Sequence, residues 1–373
     1  MPAVSSARTN PTTTAAYTRR DGLGSAHTTA LTTALERPLE AAESERLFEA
    51  IVEGTVPGPM LAAVLAALKV RGETPSEIAG AAAALRAAAA PFPRPDYLFT
   101  DTCGTGGDGA RSINISTGAA IVAAELGIPV AKHGNRAVSS RAGSADVLEA
   151  LGVRLSATPE QARRCLDTVG ICFLFAPEHH PGMRHAAPVR RALGTRTIFN
   201  LLGPLVNPAR PTHQLVGVYD PALCAPLAET LGRLGAEVAL VVHGDGLDEI
   251  ALHGPTQAAL LRDGRVETLE ITPETLGLAR HPLEALAGGD AAANAALLRA
   301  VLEGRGAPAH RDAIAANVGA LAFITGRAPT LREGVTLALE VLATSRAAER
   351  LARWVACSQE ACAPETNAGV TRG

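Results

Sequence analysis

The fold is decided by the stretch Asp101-Thr-Cys-Gly-Thr-Gly-Gly-Asp-Gly-Ala-Arg-Ser-Ile-Asn-Ile-Ser-Thr117, which follows an apolar run at 97–99 and precedes a helix-like run at 118–126. This order predicts a strand, a glycine-rich turn and a helix. Glycines let several backbone N–H groups converge on one point, and a helix that opens there adds its positive end. We therefore predict a cradle for a phosphate or pyrophosphate group. The alternative is a tight strand-to-helix turn without a ligand.

The spacing of this stretch excludes two common nucleotide motifs. No Lys-Ser or Lys-Thr pair follows the glycines, and the spacing of the dinucleotide fingerprint is absent. Asn114, Ser116 and Thr117 stand where the helix begins. Their side chains can therefore cap the helix or reach the same anion.

A second polar loop, at 132–146, also lies between a predicted strand and a predicted helix. It contains three serines, two arginines, two glycines and Lys132, one of only two lysines among 34 basic residues. A compact ammonium binds phosphate as a point charge. Loops at the carboxyl ends of strands share the ligand side of an α/β domain, so we predict a second wall of the same site. A solvated polar loop is the alternative.

A pair of carboxylates, Asp248 and Glu249, follows a predicted strand and a glycine turn at 242–249. Such a pair suits Mg²⁺, which keeps several waters and bridges to substrate phosphates. By itself the pattern also fits a turn that starts a helix. Beside two phosphate loops, the magnesium interpretation is favoured.

Three histidines occur at 179–185, but Pro181 and Gly182 interrupt the helix that regular zinc spacing needs, and no cysteine pair is near. We predict a hinge or a ligand-lining loop there. Arg190, which follows, is suited to hold a carboxylate through two parallel hydrogen bonds. A solvated helix face is the alternative for Arg190.

The composition narrows the class of protein. A net charge of −3 gives no reason to expect nucleic acid, and no apolar run approaches the length of a membrane span. The six cysteines have no metal spacing, and we expect no secretory signal. We therefore expect reduced thiols and a cytoplasmic protein. No Ser-His-Asp or Cys-His arrangement indicates a covalent nucleophile, and no residue is assigned as catalytic.

The order of elements predicts an α/β fold class, with a small N-terminal all-helical domain and a large α/β domain around a mainly parallel sheet. We expect a disordered extension at 1–36, the helical domain at 37–95 with a contribution from about 184–212, the α/β domain at 96–355 and a loose tail at 356–373. Thr74-Pro-Ser-Glu77 marks a helix start within the helical domain. The alanine-rich helix that follows suits packing on another subunit or within the chain. The predicted strands are Tyr97–Asp101, Pro129–His133, Val153–Leu155, Ile171–Phe175, Leu215–Tyr219 and Val238–His243, with a few antiparallel strands in 244–290.

Taken together, these motifs resemble the anthranilate phosphoribosyltransferase family over roughly residues 37–355. The matching text is Cys103-Gly-Thr-Gly-Gly-Asp108, Asn114-Ile-Ser-Thr117, Lys132-His-Gly-Asn-Arg136, Gly143-Ser-Ala-Asp-Val-Leu-Glu-Ala-Leu-Gly152, His180-Pro-Gly-Met183, Pro188-Val-Arg190, Arg196-Thr-Ile-Phe-Asn-Leu-Leu-Gly-Pro-Leu-Val-Asn-Pro208 and Val241-Val-His-Gly-Asp-Gly-Leu-Asp-Glu249. The family usually has alanine where Gly182 stands.

The resemblance implies a homodimer through the helical domain, with a site in the cleft between the two domains. The implied reaction joins anthranilate to 5-phosphoribosyl 1-pyrophosphate (PRPP) and releases pyrophosphate, a step of tryptophan biosynthesis. Two Mg²⁺ ions are implied, held by Ser116, Asp248 and Glu249. The residues implied for PRPP are Gly104, Thr105, Gly107, Asp108, Asn114, Ser116, Thr117, Lys132, Ser139, Ser140 and Ser144. Those implied for anthranilate are Gly104, His133, Asn135, His180 and Arg190.

Two other functions remain open. A pyrimidine nucleoside phosphorylase shares this architecture and the glycine-rich phosphate loop, but its motif on the base side differs from His133-Gly-Asn-Arg136. A non-catalytic relative that binds nucleic acid is expected to lose the catalytic motifs and to gain positive charge. This chain keeps the motifs and is slightly acidic.

Overall fold

Four helices precede the first strand. In the computed structural model, which describes residues 24–137 and 141–360, they are α1 (Gly24–Glu36), α2 (Ala41–Glu53), α3 (Gly58–Arg71) and α4 (Pro75–Ala87). The predicted start of α4 is present, because Thr74 and Glu77 each accept the other's backbone N–H in a capping box. Most alanines of α4 are buried within this chain, so the alanine-rich helix serves intrachain packing.

The structure corrects the predicted disordered extension for residues 24–36, which form α1. This helix packs on α3, and Ala34 is buried. The Arg71 guanidinium donates to the carbonyl oxygens of Ala34 (2.9 Å) and Arg37 (2.6 Å), which anchors the end of α1. This anchor is a tertiary contact that the weak periodicity of the segment does not reveal. Residues 1–23 lie outside the described part of the chain.

A seven-stranded sheet forms the α/β region in the order β3-β2-β1-β4-β5-β6-β7. The five strands from β3 to β5 are parallel, whereas β6 and β7 add an antiparallel hairpin at one edge. The sheet is therefore mainly parallel, as predicted. Its strands are β1 (Thr100–Gly104), β2 (Val130–Gly134), β3 (Ile171–Phe175), β4 (His213–Gly217), β5 (Val238–His243), β6 (Thr256–Arg262) and β7 (Arg265–Ile271).

Helices cover both faces of this sheet. Two buried apolar clusters result. In the first, α5 and the C-terminal helices pack on one face of the sheet. In the second, helices α2, α3, α4 and α11 pack on the opposite face. The helices of this region are α5 (Ile115–Glu125), α6 (Ser144–Ala150), α7 (Pro159–Val169), α8 (Ala176–His179), α9 (Ala187–Leu193), α10 (Phe199–Leu202), α11 (Cys224–Arg233), α12 (Pro273–Leu276), α13 (Ala291–Leu302), α14 (Pro308–Ile324), α15 (Leu331–Leu342) and α16 (Arg346–Gln359).

Several expectations about secondary structure differ from the structure. The strand predicted at Tyr97–Asp101 forms at Thr100–Gly104, and the one predicted at Leu215–Tyr219 forms at His213–Gly217. Val153–Leu155 is a loop, not a strand: Val153 and Leu155 are buried, but two inward side chains in three residues do not specify strand pairing. The loose tail predicted from residue 356 is wrong for residues 356–359, because α16 continues to Gln359 and Ser358 is buried. Gln161 holds this end, because its Nε2 donates to the Ser358 carbonyl at 2.8 Å. Residues 361–373 lie outside the described part.

The segment between β3 and β4 returns to the helical region. A 3₁₀ turn at Pro181–His185 packs on α2, and α9 packs on α3. The contact with α2 is close: a β-carbon built on Gly182 lies 2.7 Å from the carbonyl oxygen of Val52. This explains glycine at position 182, because alanine there would collide with the backbone of α2.

Within the described residues, no helix is long and apolar enough to cross a membrane. The five cysteines of this part are free thiols.

Candidate active site

Two loops that are far apart in sequence meet at the carboxyl ends of the parallel strands. The glycine-rich loop leaves β1, and the loop at 244–249 leaves β5. The backbone N–H of Gly106 donates to Asp248 Oδ2 at 2.7 Å, and the N–H of Asp248 donates to Asp108 Oδ2 at 3.3 Å. The predicted phosphate cradle and the predicted metal carboxylates therefore form one site.

Glycine is required beneath this junction. Asp248 crosses directly over Gly104 at the end of β1 and Gly217 at the end of β4, and a β-carbon on either glycine would overlap Asp248. Within the loop itself, Gly106, Gly107 and Gly109 have φ values of 67°, 78° and 79°, which L side chains rarely adopt. The sequence signal of four glycines thus has two causes, a close approach and a left-handed backbone.

Ser116, in the first turn of α5, lies between a cation and a carboxylate. Its N–H donates to Glu249 Oε1 at 3.0 Å, and the ammonium of Lys132 donates to its hydroxyl at 3.2 Å. Lys132 also donates to the Thr102 carbonyl and is 2% exposed. Lys132, which the structure places in β2, therefore contacts both β1 and the start of α5.

The carboxyl groups of this junction, those of Asp108, Asp248 and Glu249, outnumber the one ammonium beside them. Burial, followed by the charges of Asp108 and Glu249, raises the pKa of Asp248 well above its usual value. Burial also raises the pKa of Glu249 to about 7, although the Lys132 charge opposes this shift. A pocket that holds crowded carboxylates favours a bound cation, because a cation removes their mutual repulsion. The carboxylate oxygens of Asp248 and Glu249 and the hydroxyl oxygen of Ser116 are ligands that suit Mg²⁺.

The other residues predicted for PRPP line the two loops. Thr105 accepts the N–H of Tyr219 on Oγ1 at 3.2 Å, and Ser144 donates to the Asn135 carbonyl at 3.4 Å. Thr117 Oγ1 is buried and has no hydrogen-bond partner among the described residues. Asn114 makes no cap with its side chain; its amide bonds to other segments instead. Ser139 and Ser140 lie outside the described residues.

Two of the residues predicted for anthranilate are buried together. The rings of His133 and His180 lie edge to face, with centroids 5.2 Å apart. His133 Nδ1 faces the Gly203 carbonyl at 3.1 Å, so Nδ1 carries the hydrogen and Nε2 is an acceptor. The Nε2 atoms of both histidines lack a hydrogen-bond partner in the described structure. Burial, helped by the neighbouring His180, lowers the pKa of His133 to about 3.

Asn135 and Arg190 make contacts of their own. Asn135 is exposed, and its Oδ1 accepts the N–H of Arg136 at 2.7 Å. Arg190 extends from α9 over the ring of Phe199, with 5.1 Å between the guanidinium carbon and the centroid. It has no salt bridge with a described carboxylate, and burial lowers its pKa. Its charge is therefore available to a ligand.

Three polar residues outside the predicted site set support these loops. Asn207 donates from Nδ2 to Asp101 Oδ2 and to the Ala131 carbonyl, both at 2.8 Å, and all of Asp101 is buried. Arg196 donates to the Gly107 carbonyl and stacks on Tyr219, 4.0 Å from the centroid. Asn207, Asp101 and Arg196 all lie in or beside the matching motifs, which is the only signal that the sequence offers for them.

Comparison with known proteins decides the family. Sequence models of the glycosyl transferase family match twice: its helical bundle domain at residues 28–89 and its a/b domain at residues 96–348. An anthranilate phosphoribosyltransferase from Sorangium cellulosum is 64% identical over 293 residues, which is 79% of this chain and 84% of that protein. The chain belongs to the anthranilate phosphoribosyltransferase family.

Solved structures of anthranilate phosphoribosyltransferases share the whole architecture. The enzyme from Thermus thermophilus is 48% identical, with a TM-score of 0.85 over 89% of this chain and 99% of that one. The enzyme from Saccharomyces cerevisiae, in complex with PRPP and Mg, is 26% identical, with a TM-score of 0.80 over 89% and 96%. The predicted fold class, a helical domain followed by a mainly parallel α/β domain, is therefore confirmed. Enzymes of this family are transferases of tryptophan biosynthesis.

Proposed function

We propose that this chain transfers the phosphoribosyl group of PRPP to the amino group of anthranilate, giving N-(5-phosphoribosyl)anthranilate and pyrophosphate. The observation that carries the proposal is the junction of Gly106, Ser116, Lys132, Asp248 and Glu249. It combines backbone donors, an ammonium and crowded carboxylates in one place. Such a combination of groups suits the binding of a substrate that carries several phosphates together with a metal ion.

PRPP binds on the glycine-rich loop. Gly104, Thr105 and Gly107 shape the surface that receives the phosphates, and Lys132 supplies positive charge. The N–H groups of Thr105 and Ser116 already donate to the Gly217 carbonyl at 2.9 Å and to Glu249 Oε1 at 3.0 Å. The buried hydroxyl of Thr117, unpartnered within the described residues, is a donor for a phosphate oxygen. Asp108, Asn114, Ser139, Ser140 and Ser144 complete the proposed set.

Two Mg²⁺ ions bind with the substrate, through Ser116, Asp248 and Glu249. Among residues 24–137 and 141–360, no three His, Cys, Asp or Glu side chains form a cluster able to hold a metal by themselves. This agrees with Mg²⁺ sites that need one or two carboxylates and take their remaining ligands from water and substrate phosphates. When bound, Mg²⁺ neutralises charge that develops on the departing pyrophosphate.

Anthranilate binds on the side of His133 and His180, with Gly104, Asn135 and Arg190. Arg190 has no carboxylate partner in the described chain, so its guanidinium can pair with the anthranilate carboxylate. His133 stays neutral near pH 7, since its pKa is about 3. Its Nε2 atom is therefore an acceptor for an N–H of the anthranilate amino group.

The reaction needs positioning more than base strength. The bond between the anomeric carbon and pyrophosphate breaks, pyrophosphate takes the electron pair, and the amino nitrogen forms the new bond to carbon. An aromatic amine is barely basic, so the newly bonded nitrogen gives up its proton readily to solvent water. Proximity and electrostatic stabilisation supply the acceleration. This explains why no side chain of the site resembles a dedicated strong base.

We also propose a cytoplasmic homodimer that associates through the helical domain. Leu35 on α1 and Val70 on α3 are exposed by 64% and 89%, and α1 packs beside α3. Exposed apolar side chains on adjacent helices suit contact with a second copy. Sedimentation of Val70→Arg tests this: the proposal expects monomers, and an unchanged dimer contradicts it.

The reaction is tested by the loss of anthranilate fluorescence. The purified protein is mixed with anthranilate, PRPP and Mg²⁺, and each component is omitted in turn. Loss that requires all three supports the proposal. No loss, with PRPP binding still detected by calorimetry, indicates a different acceptor. Phosphorolysis of thymidine, measured in parallel, would instead support the nucleoside phosphorylase alternative.

A further inference from the structure

The segment between β7 and α13 forms a support for the glycine-rich loop that no sequence motif indicates. The N–H of Ile113 donates to the Leu286 carbonyl at 2.9 Å, and the N–H of Gly288 donates to the Arg111 carbonyl at 2.8 Å. A β-carbon on Gly288 would lie 2.8 Å from the Ser112 carbonyl oxygen. The end of the predicted phosphate cradle is therefore held against residues 286–289.

Asn294, in the first turn of α13, connects this support to the cradle. It is 2% exposed. Its Oδ1 accepts the N–H of Gly289 at 2.7 Å, and its Nδ2 donates to Asn114 Oδ1 at 2.8 Å. Asn114 Nδ2 in turn donates to the carbonyl of Ala142 in the second loop, at 3.2 Å. One chain of hydrogen bonds thus joins α13, the glycine-rich loop and the second loop.

The chain of hydrogen bonds has only one consistent orientation. The N–H of Gly289 is only a donor, so the Asn294 atom that faces it must be the oxygen. Asn294 therefore presents its amide nitrogen to Asn114, whose facing atom must be oxygen. That leaves the Asn114 nitrogen toward the Ala142 carbonyl, which is only an acceptor. The backbone at both ends fixes both amides.

We propose that Asn294 is a positioning residue for PRPP binding. It sets the orientation of the Asn114 amide and holds the two phosphate loops at a fixed separation. This inference rests on the proposed function, because Asn114 is assigned there to PRPP. Asn294 itself does not touch the substrate; it acts through Asn114.

The test is a double-mutant cycle with Asn114→Ala, Asn294→Ala and the double variant. Losing a buried hydrogen bond of this kind corresponds to roughly a tenfold effect. We therefore expect the KM and Kd for PRPP to rise about tenfold in Asn294→Ala, while the KM for anthranilate and kcat change less than about twofold. Because Asn294 acts through Asn114, its replacement should have no further effect in the Asn114→Ala background.

Asn294→Asp is the second variant, and it serves if the alanine variant fails to fold. It keeps the acceptor for Gly289 and the side-chain volume, but it places a carboxylate oxygen against Asn114 Oδ1. We expect its KM for PRPP to rise at least as much as in Asn294→Ala. Gln161→Ala is the control, since Gln161 is a buried amide that bonds to α16. It should lower the Tm and leave both KM values unchanged.

Additive effects in the cycle, or a PRPP affinity within twofold of wild type, overturn the inference. If the wild-type protein catalyses the reaction and one of these two results is found, only this inference is overturned. Failure of the wild-type protein to bind PRPP overturns the proposed function instead, so the two failures are distinguishable.

Discussion

Asp248 Oδ2 accepts the backbone N–H of Gly106 at 2.7 Å, although 142 residues separate them. This contact fastens the carboxylate loop after β5 to the glycine-rich loop after β1. A half-buried carboxylate that is aimed at the phosphate cradle repels a bare polyphosphate. The same carboxylate attracts a polyphosphate that arrives with a metal ion. The relationship therefore favours binding of PRPP together with Mg²⁺.

Removal of these carboxyl charges should weaken metal-dependent catalysis without weakening the fold. We expect Asp248→Asn combined with Glu249→Gln to lower kcat on the order of 100-fold and to weaken the apparent activation by Mg²⁺. The free protein should be at least as stable as wild type, because repulsion with Asp108 is relieved. Initial rates over a Mg²⁺ titration and thermal unfolding without metal provide the two measurements.

Asp245→Asn is the matched control for this prediction. Asp245 lies in the same loop but is exposed, so its variant should keep the wild-type Mg²⁺ dependence. A double carboxylate variant with an unchanged Mg²⁺ titration would remove Asp248 and Glu249 from the metal site.

Replacement of Arg190 should raise the KM for anthranilate and leave the KM for PRPP unchanged. Its guanidinium is half-buried and lacks a carboxylate partner in the described chain. We expect Arg190→Ala to raise the KM for anthranilate about tenfold to hundredfold, the range for hydrogen bonds to a charged group. The adjacent Arg191 is exposed, and Arg191→Ala should leave both KM values unchanged. A rise in the KM for PRPP alone would mean that Arg190 has been assigned to the wrong substrate.

The buried histidines should make the fold sensitive to mild acid. Burial lowers the pKa of His133 to about 3 and that of His180 to about 4, against about 6.5 in an unfolded chain. Below pH 6.5 the unfolded state therefore takes up protons that the folded state rejects. The free energy of unfolding should fall by about 1.4 kcal/mol per pH unit for each histidine, from about pH 6.5 down to their folded pKa values.

Urea unfolding at pH 7.5, 6.5 and 5.5 measures this slope. His133→Gln should remove the contribution of one histidine and flatten the curve between pH 6.5 and 5.5. A variant curve parallel to that of wild type would show that His133 does not titrate on unfolding as expected.

Gly182→Ala should destabilise the protein through contact with α2. Gly182 has no positive φ, so the backbone tolerates alanine, but the added carbon would lie 2.7 Å from the Val52 carbonyl oxygen. We expect a loss of about 1–3 kcal/mol in the free energy of unfolding, as for overpacking. At Gly58 the same carbon meets only Val189, at 3.6 Å, so Gly58→Ala should be neutral or stabilising. Equal effects of the two substitutions in chemical denaturation would contradict the steric explanation.

Local signals were sufficient where one segment decides its own conformation. The capping sequence at Thr74–Glu77 predicts the start of α4, and the apolar runs at 171–175 and 238–243 coincide with β3 and β5. The glycine cluster predicts the loop because glycine adopts a positive φ at little cost. In contrast, α1 and the end of α16 depend on Arg71 and Gln161, which are distant in sequence. The folding of α1 and of the end of α16 into ordered helix could therefore not be predicted from these segments alone.

The sequence by itself determined most strands and helices of the α/β region, the family that the protein resembles, and the kinds of groups in its site: backbone donors, one lysine and paired carboxylates. Tertiary structure decided which of these groups meet. It brought Asp248 onto Gly106, made glycine obligatory at 104 and 217, and buried His133 beside His180. It also placed Asn294 against Asn114 of the glycine-rich loop, although the sequence around Asn294 contains no motif. The reason is physical: composition and periodicity report on contacts between near residues, whereas distances between separate loops depend on how the sheet and its helices pack.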